Sequence, residues 1–426
     1  MFCQLELLRR CFPPSVRHIL EELPESLDET YERILREIRK PNQGHAHRLL
    51  QCLAVAVRPL RIEELAEFLA FDFNAEGMPK LNPDWRWEDQ EEAVTSVCSS
   101  LVIIVKDGDS RLVQFSHFSV KEFLTAHRLV EPMRDISRFH IRLDAAHTIL
   151  AQACLGVLLQ LDDRVDRDSI KNFPLARYAA QYWPTHAREE NVLPHVMDGV
   201  ELLFDEDEPH FAVWLWIYNE DWGGLSMSTM RPVEPEAAPL YYAALLGLRD
   251  LSEHLIFEHP EHLHSRGGIY ETPVHAAVNA ENASVLSLLI GYGADVEGQY
   301  GSINGGTLLN TAAQYGNLEV GQRLLHHGAN INAQDSEGNT PLIDAVSQGN
   351  VEFTQMLLER GADADASNDD GNSAFQFVAR DEDPEIVELL SKYRTKSESD
   401  IQTDRDSMLS SAGSIPSLVS NHSEEE

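Results

Sequence analysis

The chain has 426 residues, of which 43% are hydrophobic, so it is long enough to bury cores in two to three domains. Its 34 Lys and Arg residues oppose 70 Asp and Glu residues, which gives a formal net charge of −36. Nucleic acids and anionic membranes both need clustered cations on the protein, so this charge excludes them as partners and favours a basic or polar protein surface.

The expected compartment is the cytoplasm or the nucleus. No apolar run reaches the roughly 20 residues that a membrane-spanning helix needs. The first residues, MFCQLELLRRCFPPS, lack the organisation of a signal peptide, because Arg9 and Arg10 interrupt the apolar stretch. The five cysteines lie far apart without a C-x-x-C pair, which favours reduced, buried thiols: Cys3, Cys11, Cys52, Cys98 and Cys154.

Residues 1–44 are predicted to be a helical segment, with two amphipathic helices in residues 15–40. Ser26 is followed three residues later by Glu29, which is the spacing of a capping box. The apolar residues that then fall on one face at helical spacing are Leu27, Tyr31, Ile34, Leu35 and Ile38. We therefore expect a helix to begin next to Ser26.

Residues 45–130 are predicted to be a winged-helix-like domain. The helical stretches HRLLQCLAVAVR and RIEELAEFLAF are separated by a break at Pro59, and EEAVTSVCSS follows them. Two predicted strands, Leu101–Val105 and Leu112–Phe115, flank an Asp-Gly pair, which is a hairpin signal. The helix before the hairpin begins Glu88-Asp89-Gln90-Glu91-Glu92-Ala93, so it would repel DNA, and we interpret the domain as a structural spacer.

Four segments of this half resemble one part of the fungal NACHT–ankyrin (STAND-type) proteins: LPESLDETYERIL, LAVAVRPLRIEELAEFLAF, CSSLVIIV and VQFSHFSVKEFL. In that family the segment follows the nucleotide-binding NACHT module, and it is described as a winged helix similar to that of GPI inositol-deacylase. The resemblance implies a signal-transducing NTPase in which ankyrin repeats act as the sensor. This chain has no G-x-x-x-x-G-K-[ST] loop, so the ATP binding of the family is not expected here. By this resemblance, the effector and the NTPase core would both lie upstream of Met1. The chain is then expected to be either a truncated relative or gene model of this family, or a scaffold that works without the NTPase switch.

Residues 131–236 are predicted to be a helical connector, built from FHIRLDAAHTILAQACLGVLLQ, LARYAAQYW and HFAVWLWIYNEDW. Tyr178, Tyr182 and Trp183 occur at helical spacing and are expected in its core. The acidic run from Asp205 to Glu208 lacks the spacing of an EF-hand loop and is predicted to be a solvated loop.

Residues 237–394 contain a self-similar period. Three copies of a Thr-initiated motif lie 35 and 33 residues apart, at Thr272–Ala277, Thr307–Ala312 and Thr340–Ala345. A Gly-Ala-Asp/Asn motif keeps step with them at Gly293, Gly328 and Gly361. Threonine caps the first helix of each copy, and the glycine ends the second helix in the left-handed conformation.

These motifs resemble the ankyrin repeat family, with about four to five copies and degenerate end copies. The fold class is therefore predicted to be mainly α: a winged-helix unit and a helical connector, followed by an ankyrin-repeat solenoid. Glu281-Asn282 stands where the turn glycine is usual. Residues 395–426 are predicted to be a disordered, acidic, Ser-rich tail, because nine serines and no aromatic residue cannot form a core.

The resemblance implies a binding surface formed by the hairpin tips and the concave row of first-helix residues. The tip residues carried over by register are Ser302-Ile303-Asn304, Ser336, Glu337, Asn339, Asp369, Asp370 and Asn372. The row contains Asn279, Gln314, Tyr315, Ser347, Gln348 and Arg380. Tyr315 is predicted to be the energetic anchor, because aromatic side chains dominate interface hot spots.

The sequence favours a non-enzymatic protein–protein interaction scaffold. The alternative is a regulatory fragment of a signalling NTPase that acts with a NACHT core supplied by another chain. No catalytic or metal-ligating residue, no cofactor and no small-molecule ligand is expected. The four histidines between His254 and His264 match no zinc motif, and Gly224–Ser228 is only a partial nucleophile-elbow pattern.

Overall fold

The computed structural model describes residues 26–75, 77–130, 135–221, 235–299, 305–381 and 384–393. These residues form two compact units that divide between Pro235 and Glu236, here called the amino-terminal unit and the repeat unit. The predicted helix before Ser26, Cys3, Cys11, Gly224–Ser228, the tip Ser302–Asn304 and the tail lie outside the described residues. The fold is mainly α, as the sequence predicted, with nineteen α-helices in the described part of the chain.

The first part of the amino-terminal unit contains five helices and five strands. They are α1 (Leu27–Glu37), α2 (Gln43–Val55), β1 (Leu60–Arg61), α3 (Ile62–Glu67), β2 (Phe71–Asp72), β3 (Lys80–Leu81), α4 (Gln90–Cys98), β4 (Val102–Asp107), β5 (Ser110–Phe115) and α5 (Phe118–Thr125).

Helix α1 begins as predicted, because the Ser26 hydroxyl accepts a hydrogen bond from the Glu29 amide at 3.2 Å. Its buried face carries Tyr31, whose hydroxyl lies 2.8 Å from the Ser119 hydroxyl. The Tyr31 ring also packs against the Phe123 ring of α5 with centroids 5.4 Å apart. Helix α1 is therefore part of the same packed body as α5.

A three-stranded antiparallel sheet in the order β1-β5-β4 completes the winged-helix arrangement. Leu60 pairs with Val113 on one edge of β5, and β4 pairs with β5 from Val102–Phe115 to Asp107–Ser110. Gly108 has φ 57° at the first central position of the turn, which is where a type II′ hairpin takes glycine. The hairpin strands are longer than predicted, because the two-residue turn lets pairing continue to Asp107.

The stretch RIEELAEFLAF was predicted to be one helix, and the structure corrects this. Helix α3 ends at Glu67, Phe68–Ala70 form a 3₁₀ turn, and Phe71 begins β2. Phe71 pairs with Leu81 of β3, and both side chains are buried. The tertiary pairing with β3 therefore overrides the helical periodicity of this segment.

Four helices form the rest of the amino-terminal unit: α6 (Leu143–Leu158), α7 (Ala176–Ala187), α8 (Met197–Leu203) and α9 (His210–Asp221). Trp183 of α7 and Trp214 of α9 are fully buried with ring centroids 5.9 Å apart. The Trp214 indole N–H donates to the Ala180 carbonyl at 3.0 Å, so its polar group is satisfied inside the core. Tyr178 is buried as predicted, whereas Tyr182 is only half-buried.

A buried polar cluster links the connector to the winged-helix part. Arg58 makes a bidentate pair with Glu64 at 2.7 and 2.8 Å, and its guanidinium lies 5.0 Å from the Tyr178 ring centroid. The Tyr178 hydroxyl accepts from the Val57 amide at 3.2 Å and lies 2.9 Å from Nε2 of His186. Burial, with a smaller effect of His147, lowers the pKa of His186 to about 3, so this histidine is neutral.

Three of the predicted buried cysteines are described, and all are reduced and buried: Cys52, Cys98 and Cys154. Burial raises the pKa of the Cys98 thiol to about 12. No helix among the described residues is both long and apolar enough to cross a membrane.

The repeat unit consists of five consecutive helix pairs. The first helices of the pairs, called inner helices, are α10 (Pro239–Leu246), α12 (Pro273–Asn279), α14 (Leu308–Tyr315), α16 (Pro341–Ser347) and α18 (Ala374–Asp381). The second helices, called outer helices, are α11 (Arg249–Glu258), α13 (Ala283–Gly291), α15 (Leu318–His326), α17 (Val351–Glu359) and α19 (Pro384–Tyr393). Inner helices pack on inner helices and outer helices on outer helices, which confirms the predicted solenoid.

The helix boundaries within the repeats follow the predicted motif. The hydroxyls of Thr272, Thr307 and Thr340 each accept a hydrogen bond from the amide three residues later. Gly293, Gly328 and Gly361 follow the outer helices with φ 104°, 89° and 89°. Because a side chain at positive φ is strained, these glycines end the outer helices at low cost.

The turn between inner and outer helix also requires a left-handed residue. Gly247, Gly316 and Gly349 provide it with φ 71°, 71° and 70°. In the second pair Glu281 occupies the equivalent position with φ 61°. The substitution noted in the sequence therefore leaves the turn geometry unchanged and introduces a strained non-glycine residue.

Candidate protein-binding surface

Asparagine side chains join neighbouring repeats and fix the orientation of the surface. Asn282 donates through Nδ2 to the carbonyls of Ala244 and Leu245 at 2.9 and 3.0 Å, across to the preceding pair. Asn350 repeats this arrangement with Ala313 at 2.8 Å. Each asparagine satisfies carbonyls at the end of an inner helix, so the stacking is specified by hydrogen bonds as well as by apolar packing.

The hairpin tip between α15 and α16 is a closed turn organised by Asp335. One carboxylate oxygen of Asp335 accepts from the amides of Glu337 and Asn339 at 2.9 and 2.7 Å. Gly338 has φ 75°, and an added Cβ there would lie 2.7 Å from the Asp369 amide nitrogen of the next tip. The tip is therefore held in one conformation against its neighbour.

The predicted tip residues differ in exposure. Ser336, Glu337 and Asp369 are exposed, as their position at the tips predicts. Asn339 is only 8% exposed, and its side-chain oxygen accepts from Asn368 Nδ2 at 2.9 Å. The prediction that Asn339 belongs to the exposed surface is wrong, because the next hairpin uses its amide as a structural partner.

The predicted concave row occupies the last turns of the inner helices. Asn279, Gln314 and Ser347 are each seven residues after the capping threonine, and all three are half-buried. Asn279 and Ser347 donate to carbonyls of their own helices, at 2.9 Å in both cases. Tyr315 is 63% exposed, and Gln348, at the equivalent position of the next pair, is also exposed. The side chain of Arg380 lies outside the described part of the structure.

Beneath this surface lies Asp344, which is buried and was not predicted to be a site residue. Its carboxylate accepts from Asn310 Nδ2 at 2.7 Å and from Gln314 Nε2 at 3.3 Å. Burial raises the pKa of Asp344 to about 6, although both amides favour its ionised form, and Asp335 and Glu337 raise the pKa further. The sequence signal was available, since Asp344 falls where the two preceding copies have Ala276 and Thr311.

Asp344 connects the concave row to the neighbouring helices and to the tip through hydrogen bonds. Its bond to Gln314 connects α16 to α14, next to the exposed Tyr315. Asn310 donates both to Asp344 and to the Asn339 carbonyl at 3.1 Å, so the row and the tip share one hydrogen-bond network. The surface therefore consists of an exposed aromatic ring, amide groups and an acidic edge at Glu337 and Asp369, held on a common framework.

The structure describes two regions that were weighed above as sites of another kind, a DNA-reading helix and a metal site. Helix α4, which precedes the hairpin, exposes Glu91 and Glu92 in its first turn, so it presents carboxylates where a DNA-reading helix needs cations. In the histidine-rich segment the rings of His259 and His262 stack with centroids 4.9 Å apart, and Glu261 lies 3.5 Å from His259.

Family models match three regions of the chain. Residues 240–335 match "Ankyrin repeats (3 copies)" and residues 324–378 match "Ankyrin repeats (many copies)". Residues 31–133 match the winged helix domain of GPI inositol-deacylase, a range that includes most of α1.

Two curated proteins are similar to parts of the chain. The azaphilone pigments biosynthesis cluster protein L of Monascus ruber is 34% identical over 296 residues, which is 65% of this chain and 61% of that protein. Mouse rabankyrin-5 is 42% identical over 84 residues, or 17% of this chain and 7% of that protein. The chain thus spans about three fifths of the first relative and a small part of the second. The chain carries ankyrin repeats carboxyl-terminal to a winged-helix domain of the GPI inositol-deacylase type.

Proposed function

We propose that this chain is a non-enzymatic scaffold that binds a basic or polar segment of a partner protein on the concave row and tips of its repeats. Ankyrin repeats support a role in protein–protein interaction, and the observation that carries the proposal is the exposure of Tyr315 beside the Gln314–Asp344 bond. An exposed tyrosine ring offers a large contact area with few rotatable bonds, and such residues dominate hot spots.

Charge supports the choice of partner. The repeat region from Ala237 to Arg394 contains 7 Lys and Arg residues against 23 Asp and Glu residues. The exposed tip residues Glu337 and Asp369 are acidic, so a basic segment would gain Coulomb attraction during approach. An acidic partner would be repelled by the same surface.

The test is quantitative affinity capture with the full chain as bait, comparing wild type with Tyr315→Ala/Gln348→Ala. Truncating one exposed aromatic anchor should reduce recovery of true partners about tenfold or more. Tyr292→Ala is the matched control, because Tyr292 is 50% exposed but follows the outer helix α13. Equal recovery with the Tyr315→Ala/Gln348→Ala bait, or loss only with Tyr292→Ala, would contradict the proposed surface.

A second candidate is a regulatory fragment that acts with a NACHT core supplied by another chain. The winged-helix domain followed by a helical connector and ankyrin repeats supports it, since the resemblance of the sequence implies that order. Co-purification of the full chain with a separately expressed NACHT core would support this candidate. Absence of a complex at micromolar concentrations would exclude it.

A further inference from the structure

The loop between β3 and α4 exposes two tryptophans. Trp85 and Trp87 are 48% and 50% exposed, whereas Trp183, Trp214 and Trp216 are buried. An exposed indole leaves a large apolar area in contact with water, and two of them in one loop are unusual for a surface without a partner.

The loop is anchored at its start. The Asn82 amide donates to the Ala70 carbonyl at 2.8 Å, and the Asn82 side chain accepts from the Asp84 amide at 3.0 Å. Pro83–Trp85 then form a 3₁₀ turn, which is closed by the bond from the Trp85 amide to the Asn82 carbonyl at 3.0 Å. The backbone that carries Trp85 is therefore attached to the core.

Arg86, between the two tryptophans, holds the loop against the core. Its guanidinium pairs with Glu67, whose side chain is 2% exposed, and lies 5.6 Å from the Phe173 ring centroid. The other Glu67 oxygen accepts from the Leu175 amide at 2.8 Å. Trp85 and Trp87 flank this inward arginine in sequence, and both indoles remain about half exposed. The Arg86–Glu67 pair therefore attaches the loop to the core between the two exposed tryptophans.

The surroundings of the two indoles are acidic. Asp84, Glu88 and Asp89 are exposed within four residues of Trp85, and Glu91 and Glu92 follow in α4. These carboxylates repel an anionic membrane and also a second copy of this chain, which carries a formal charge of −36. They attract Lys and Arg, and the indole faces bind cations as well.

We propose that Trp85 and Trp87 form a second protein-docking site, which takes a basic amphipathic helix of a partner. The apolar face of that helix covers the two indoles, and its Lys or Arg side chains reach Asp84, Glu88 and the indole faces. This site is separate in sequence from the repeats and does not depend on the surface proposed above. With two sites, the chain would bring two basic proteins together.

The probe is a synthetic 18-residue helix of Leu and Lys, labelled and titrated with the full chain by fluorescence anisotropy. We expect Trp85→Ala/Trp87→Ala to weaken binding at least tenfold, and Trp85→Phe/Trp87→Phe to restore part of it. Phe118→Ala is the matched control, because Phe118 is 70% exposed in α5 of the same unit and should not affect binding. Tyr292→Ala removes an exposed ring of the repeat unit that lies outside the surface proposed above, and it should also leave binding of this probe unchanged.

Three results would overturn the proposal. The first is equal binding of the probe by wild type and the double alanine variant, which would place the helix on the general acidic surface. The second is loss of vesicle binding in the double variant, measured with phosphatidylcholine vesicles, without loss of peptide binding. The third is a wild-type dimer in sedimentation that the double variant abolishes, since the site would then be a self-association surface.

Discussion

At the scale of single residues, Asp344 combines a structural role with a cost in stability. Its carboxylate holds Gln314 and Asn310 in place, yet burial raises its pKa to about 6 from an ordinary value of 3.8. The folded state therefore binds a proton more readily than the unfolded state. Stability contributed by such a group rises as the pH falls from above 6 to below 3.8.

We predict that Asp344→Asn raises the free energy of unfolding of the repeat unit at pH 7.5. The shift corresponds to at most about 3 kcal/mol, because each pKa unit is worth about 1.4 kcal/mol. Asparagine can still accept from Asn310, and the Gln314 amide can rotate to accept from the new side-chain N–H. The advantage of the variant should shrink at pH 4.5, where Asp344 is protonated in the folded state. The difference in the free energy of unfolding is measured by urea unfolding of wild type and Asp344→Asn at both pH values.

Comparing the two proteins cancels the other titrating groups. His275 is one of them, since burial lowers its pKa to about 4, and its contribution to stability is lost as the pH falls from 6.5. Asp370→Asn is the control for charge alone, because Asp370 is exposed at a tip. An Asp344→Asn advantage that stays constant between pH 7.5 and 4.5 would contradict the assignment.

The residues of the candidate surface were only partly predictable from the sequence. The exposure of Tyr315, Gln348 and the acidic tips follows from their register in the repeat, which is local information. The burial of Asn339 and Asp344 does not, because it depends on the side chains of Asn368 and Asn310 from other repeats. Hydrogen bonds between repeats thus decide which polar residues remain available to a partner.

At the scale of elements, the turn between α12 and α13 contains a strained backbone position. Glu281 has φ 61°, where the equivalent turns of three other pairs have glycine. A left-handed backbone costs an ordinary L-residue roughly 1–2 kcal/mol. Part of this strain energy is offset, because a glycine at this position would lose more conformational entropy on folding than glutamate does.

We predict that Glu281→Gly raises the free energy of unfolding by about 1 kcal/mol, since it removes this strain. The measurement is urea unfolding of the full chain, followed by far-ultraviolet circular dichroism.

The reciprocal variant is Gly349→Ala. An added Cβ at Gly349 would meet no heavy atom within 4 Å, but its φ of 70° is unfavourable for alanine. Gly349→Ala should therefore lower the free energy of unfolding by about 1 kcal/mol, and the reason is purely the backbone conformation. A destabilising Glu281→Gly would show that the Glu281 side chain makes a contact that outweighs the strain.

The elements themselves were predicted wherever a local signal marks them. Capping threonines, turn glycines and the Asp-Gly hairpin gave helix starts and turns that the structure confirms. β1, β2 and β3 were missed, because a strand of two residues has no detectable alternation and exists only through its partner strand. Helix α8 was also missed, since its seven residues lie in a sequence without clear periodicity.

At the scale of the whole molecule, the dominant physical property is the charge of −36. Repulsion among exposed carboxylates destabilises the compact state and opposes association with acidic proteins. Salt screens this repulsion, because the Debye length falls from about 10 Å at 0.1 M to about 3 Å at 1 M. Salt also screens the attraction between this chain and a basic partner.

We therefore predict opposite effects of salt on stability and on binding. Raising NaCl from about 20 mM to about 500 mM should increase the melting temperature by about 3 °C, which corresponds to about 1 kcal/mol. Over the same range, the Leu/Lys helix should bind at least tenfold more weakly. Na₂SO₄ at equal ionic strength is the control, because screening depends on ionic strength whereas specific ion effects depend on the anion. A melting temperature that depends on the anion at equal ionic strength would contradict the screening explanation of stability. Binding of the Leu/Lys helix that strengthens with salt would show that apolar contact, rather than charge, governs the choice of partner.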